Sequence, residues 1–201
     1  MDAHDPYAAL RHPSYRFLLC GALLSSTGAG AQFLAVDWEL YHRTGDAAAI
    51  GLAGLVLFLP VLLLALPAGQ AADRFSRKGL FLASQVLTSL AALGLAALSW
   101  WEGPVDLTYP CLFLSGVARA FSAPSRTALL PQVVAPEALG NAVAWNSSGW
   151  QVAAVTGPTL AGLVIAIAGY PAMVYVLSAG ASLACAGLLL AGLLLSGQPE
   201  R

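Results

Sequence analysis

Three ionisable residues sit inside apolar runs of this chain, where a charge is costly unless it works. They are Asp37 and Glu39 in "FLAVDWELY" and Arg119 in "FLSGVARAF". A carboxylate held away from water can take up and release a proton, while a guanidinium stays charged and can hold an acid or an anionic ligand. Asp37 and Glu39 point roughly 200° apart on a helix, so only one of them can face a given cavity. Asp37 lies deeper and is the candidate for it; Glu39 reads as an interfacial charge reaching for the headgroups. Arg119 lies about a dozen residues into its run, roughly 18 Å at the helical rise, and so near a membrane midplane. Asp37, Arg119, Gln32, Asn146, Ser148 and Gln151 are the candidates for lining a polar pathway through the helices. Ser148, Gln151, Thr159 and Gly162 recur at spacings compatible with one helix face, which Gln32 could join across the bundle. Such groups either line a wet cavity or tie helices together. Gly157, Pro158 and Gly162 are expected to bend that helix or let it pack closely.

A second concentration of charge is "GQAADRFSRK", Gly69 to Lys78. Arg74, Arg77 and Lys78 can be read as positive anchors on the cytoplasmic side of a membrane. They do not account for Asp73, for which Arg77 is a partner one helical turn away.

The elements that must position these groups follow from composition. With 58% hydrophobic and 9% charged residues, the chain has far less charge than the roughly one quarter of a soluble domain. Part of its solvent must be lipid. Runs long enough to span lie near 15–41, 47–71, 79–101, 107–129, 139–167 and 172–195. No charge occurs between Ala138 and Pro199, and "AGYPA" supplies the break in that stretch. The runs are continuously apolar rather than alternating, which excludes a β-barrel. The expected fold is therefore all-α and integral to the membrane, a single six-helix domain over 1–201. Cys20, Cys111 and Cys185 fall in apolar runs and read as small buried hydrophobes, not as disulfides or metal ligands. No secretory signal is evident. No cofactor, metal or nucleic-acid partner is expected.

Orientation follows the placement of Lys and Arg. With the N-terminus inside, Arg11, Arg16, Arg74, Arg77, Lys78, Arg126 and Arg201 are cytoplasmic, and Arg43 alone lies outside. Both termini are then cytoplasmic, in a multi-pass protein of the cell (inner) membrane.

The Gly69–Lys78 stretch resembles the loop between helices two and three of the major facilitator superfamily, G-x-x-x-D-R/K-x-G-R-R/K. Gly69, Asp73, Arg74, Arg77 and Lys78 match, and Ser76 replaces the second glycine. "LRHPSYRFLL", "YHRTGDAAAIGLAG" and "PSRTALLPQVVAPEALGNA" resemble the branch that exports siderophores, macrolides and drugs, and "GPTLAG" resembles the antiporter motif of helix five. The resemblance implies a half-bundle of two inverted three-helix repeats, the N-terminal half of a twelve-helix transporter. It implies Asp73 as a latch against a helix end of the other half, Arg77 as its orienter, and Gly69 as a point of close backbone approach. It further implies a proton-coupled exporter of a small organic molecule. The second half would be another copy or a separate chain; otherwise this is an isolated half that moves nothing. Other classes fit poorly. An intramembrane serine protease needs a G-x-S context and a histidine on another span, and a water channel of aquaporin type needs N-P-A repeats. A compact vitamin-capture subunit would have no use for the charged turn.

Overall fold

A computed structural model describes residues 6–195. Arg201, expected on the cytoplasmic side, lies outside the described residues. After a short turn at Ala9–Arg11 come α1 (Pro13–Thr44), α2 (Ala47–Arg74), α3 (Arg77–Trp100), α4 (Thr108–Val133), α5 (Leu139–Ala168) and α6 (Ala172–Leu195). No strand occurs among the described residues. α1 runs past the expected end at Tyr41 to Thr44, where Gly45 turns left-handed at φ 68° and stops it. Gly169, at φ 81°, ends α5 in the same way. The side chain of Asp46 caps α2 by accepting from the Ala48 amide at 2.8 Å, and Ser76 caps α3 by accepting from Gly79. The charged stretch is thus mostly helical, with only Phe75 and Ser76 between α2 and α3.

Among the described residues, five helical segments are long and apolar enough to cross a membrane. α4 is 26 residues long but falls short on apolarity, because it carries Arg119, Arg126 and several hydroxyls. It packs along both α2 and α3, so it traverses with them. The pairing repeats with an offset of three. α1 packs along α5 and α6, α4 packs along α2 and α3, and α3 meets α6 between the two sets. Exchanging each helix with the one three places away leaves this pattern unchanged, as two inverted three-helix repeats require. Each repeat fills its core with helices of the other.

The interior is layered. One apolar cluster, including Tyr15, Leu18, Phe81, Leu129 and Leu189, lies toward the α2–α3 turn, called here the basic end. Another, including Val36, Leu40, Leu95, Leu112 and Tyr175, lies toward the opposite end. Between them is a polar layer. Gln85 donates to Ser25 at 2.8 Å, Ser178 donates to Gln32 at 3.0 Å, and Gln32 reaches Ser115 at 3.4 Å. Lipid offers no hydrophobic drive between helices, so such bonds help select which helices meet. Outward faces are apolar: Leu55, Phe58, Leu62, Leu63 and Leu66 of α2 are all exposed, as a lipid-facing helix requires. Cys185 is buried as expected, but Cys20 is exposed on the outside of the bundle, and Cys111 is half-exposed where it packs against Gly94 of α3.

Candidate functional site

The contacts of each helix define which side remains open. On α1, Gly28 abuts Ser178 and Ala181 of α6, Ser25 meets Gln85 of α3, and Gly30 faces α5. The side left over carries Ala29, Phe33 and Asp37 at one-turn intervals, the first two exposed and Asp37 half-exposed. On α4, Ser115 reaches α1 through Gln32, and Gly116 abuts Leu57 and Pro60 of α2. Arg119 follows one turn later between those two directions, and it is exposed with Ala123 and Thr127. On α5, Gly157 abuts Thr27, Gly30 and Ala31 of α1, and Gln151 is exposed on an adjacent side. The face bounded by α1, α2, α4 and α5 therefore carries Asp37, Arg119 and Gln151.

Depth separates the two charges. Asp37 lies seven residues before the end of α1, roughly 10 Å along the helix, and Arg119 lies eleven residues after the start of α4, roughly 16 Å. No ion pair joins them among the described residues.

Other expected members take different places. Gln32 is 7% exposed and spends its amide on Ser115 and Ser178, so it ties helices instead of lining the open face. Ser148 and Thr159 are exposed on the side of α5 away from α1, and the Thr159 hydroxyl returns to the Val155 carbonyl at 2.8 Å. Asn146 is half-buried. Gly157 packs tightly on α1, whereas a methyl at Gly162 would meet nothing among the described residues. Pro158 lies inside an uninterrupted α5.

The basic end departs from the expected latch geometry. Arg77 donates to the Ala128 carbonyl of α4 at 3.0 Å instead of orienting Asp73. The cause is local: Arg77 starts α3 beyond the turn, on the side facing α4. Asp73 and Arg74 stand exposed, and among the described residues none crowds Gly69. Lys78 is half-buried in the first turn of α3. Nearby, the N-terminal segment is pinned to α5. Asn141 and Trp145 both donate to the Pro6 carbonyl, at 2.7 and 2.9 Å, and Asn141 accepts from the Ala9 amide.

One cluster was missed by sequence reasoning. Glu39 turns inward and accepts from the Tyr175 hydroxyl of α6 at 2.8 Å and from Arg43 at 3.3 Å. Arg43 also donates to the Gly103 carbonyl in the α3–α4 connection. Glu39 and Arg43, one turn apart, were a detectable pair; the partners on α6 and after α3 were not.

The profile of the Major Facilitator Superfamily matches residues 18–201. The chain belongs to this superfamily. Among its relatives, the multidrug efflux pump Tap of Mycobacterium tuberculosis (strain ATCC 25618 / H37Rv) is 27% identical over 165 residues, 79% of this chain and 39% of the relative. Macrolide efflux protein A of Streptococcus pyogenes is 25% identical over 135 residues, 67% of this chain and 33% of the relative. The staphyloferrin A transporter of Staphylococcus aureus (strain NCTC 8325 / PS 47) is 26% identical over 137 residues, 67% of this chain and 34% of the relative. The chain thus spans between a third and two fifths of these relatives. Its superfamily fold explains the offset-by-three pairing, and it makes the chain a multi-pass membrane protein rather than an enzyme.

Proposed function

We propose that this chain forms one half of a secondary transporter that exports a small organic molecule, a drug or a siderophore, by proton-coupled alternating access. The observation that carries the reading is the open face. Asp37, Arg119 and Gln151 share one side of a bundle whose outward surfaces are apolar, and charges at such depth need water or a partner. The relatives named for drug, macrolide and siderophore transport support efflux. Asp37 is the proton carrier in this reading. Asp73, exposed beside an uncrowded Gly69, is the latch toward a second half. That half is another copy of the chain or a separate polypeptide. The same open face favours a second reading, in which the bundle moves nothing until it is covered.

In sealed vesicles holding the chain, an imposed pH gradient is expected to drive export of a fluorescent drug. Arg119→Ala should abolish this while leaving expression and the gel-filtration profile unchanged. Wild-type vesicles that release dye no faster than protein-free ones would remove the reading in which copies of this chain suffice, and leave the second.

The excess of Lys and Arg at the basic end supports its placement in the cytoplasm of a cell whose inner membrane holds the protein. On a cysteine-free background, a membrane-impermeant maleimide added outside should label a cysteine at Gly103 and not one at Ser76. The reverse pattern would invert the orientation.

A further inference from the structure

We propose that the open face selects molecules that join an apolar body to a carboxylate or similar anionic group, with Arg119 holding the anion. This rests on the transporter reading above and names its substrate class. Arg119 is exposed at mid-depth, and no hydrogen bond or ion pair reaches it among the described residues. Seven residues on, and so on nearly the same side of α4, Arg126 is half-buried. Among the described residues no ion pair reaches Arg126. Only two acids lie within the described spans away from their ends. Glu39 is committed to Tyr175 and Arg43. Asp37 is set roughly 6 Å nearer the opposite end than Arg119.

From the midplane toward the basic end the face is therefore positive. Beyond it Arg11, Arg16 and Arg74 are exposed and outnumber the exposed acids Asp73 and Glu137. A molecule arriving from that end meets a potential that attracts anions and repels cations. Away from bulk water, the attraction of an anion to a guanidinium is several-fold stronger than in solution, whereas a neutral ligand leaves the guanidinium uncompensated. Phe33 of α1 is exposed one turn from Asp37 on the same side and supplies apolar surface for the body of the ligand.

The test is equilibrium binding to the full chain in lipid discs, using two probes of one shape. Dansyl-leucine carries a carboxylate, and dansyl-leucinamide replaces it with a neutral amide. The carboxylate is expected to bind about 10-fold more tightly, equivalent to about 1.4 kcal/mol. Arg119→Gln should reduce that preference to within about two-fold. Equal binding, or tighter binding of the amide, overturns the anion assignment and leaves the transporter reading standing. A carboxylate preference that survives Arg119→Gln overturns the role of Arg119. If neither probe binds saturably above protein-free discs, the anion assignment fails, and dye export from vesicles decides the transporter reading separately. The wild-type comparison decides the sign without any variant, so it holds even if Arg119→Gln does not fold.

Discussion

Replacing Gly116 with alanine is expected to force α2 away from α4 and to destabilise the bundle by more than about 3 kcal/mol. A methyl group there would run into the Leu57 carbonyl oxygen and sit 3.0 Å from the Pro60 ring. Both obstacles are parts of α2 that cannot rotate aside, one backbone and one proline ring. The only relief is to move α2, and α4 is its main packing partner. Gly157→Ala meets the same kind of obstacle, with the Thr27 carbonyl oxygen at 2.6 Å and the Ala31 nitrogen at 3.0 Å, and should separate α1 from α5. Gly162→Ala is the control. Its methyl meets nothing within 4 Å, and alanine favours helix over glycine by about 0.5–1 kcal/mol. Thermal unfolding in detergent should show Gly116→Ala and Gly157→Ala melting far below wild type, or failing to accumulate, with Gly162→Ala at or above it. A Gly116→Ala protein that melts like wild type would mean that the α2–α4 approach is looser than described.

Truncating Glu39 is expected to have the second largest effect, a loss of about 2–3 kcal/mol for Glu39→Ala. The carboxylate serves two donors at once. One is the hydroxyl of Tyr175, which is 1% exposed, and the other is Arg43, whose side chain is 23% exposed. Removing it leaves a buried hydroxyl and a mostly buried guanidinium without an acceptor, in a setting where water is scarce. It also frees Arg43 from the position that brings it to the Gly103 carbonyl, so α1, α6 and the α3–α4 connection lose their common tie at that end. Glu39→Gln keeps an acceptor oxygen and should lose less. Tyr175→Phe removes donor and hydroxyl together and should cost about 1 kcal/mol. The ordering Ala, then Gln, then Phe is what unfolding midpoints in a single detergent should show. Glu39→Ala indistinguishable from wild type would reduce the cluster to a surface ion pair.

Composition, run length and the placement of Lys and Arg were enough to read an all-α, six-span membrane protein from the sequence. The reason is that lipid imposes a length and an apolarity on every crossing, and both are local properties. The charged stretch at Gly69–Lys78 and the arginine of α4 were legible for a related reason: charge in so apolar a chain is rare enough to stand out. Partners were not legible. Gln32 looked like a cavity residue and is a helix tie, because its neighbours Ser115 and Ser178 lie 83 and 146 positions away. Glu39 looked interfacial and is inward-facing, because Tyr175 approaches from α6. Arg77 was paired with Asp73 by proximity along the chain, yet it bonds to Ala128 across 51 residues. Gly157 and Gly162 are indistinguishable by spacing, and only the approach of α1 makes one indispensable and the other free. Helical periodicity states which residues share a side, but the offset-by-three packing alone decides which sides are closed by neighbours and which, at Asp37, Arg119 and Gln151, stay open.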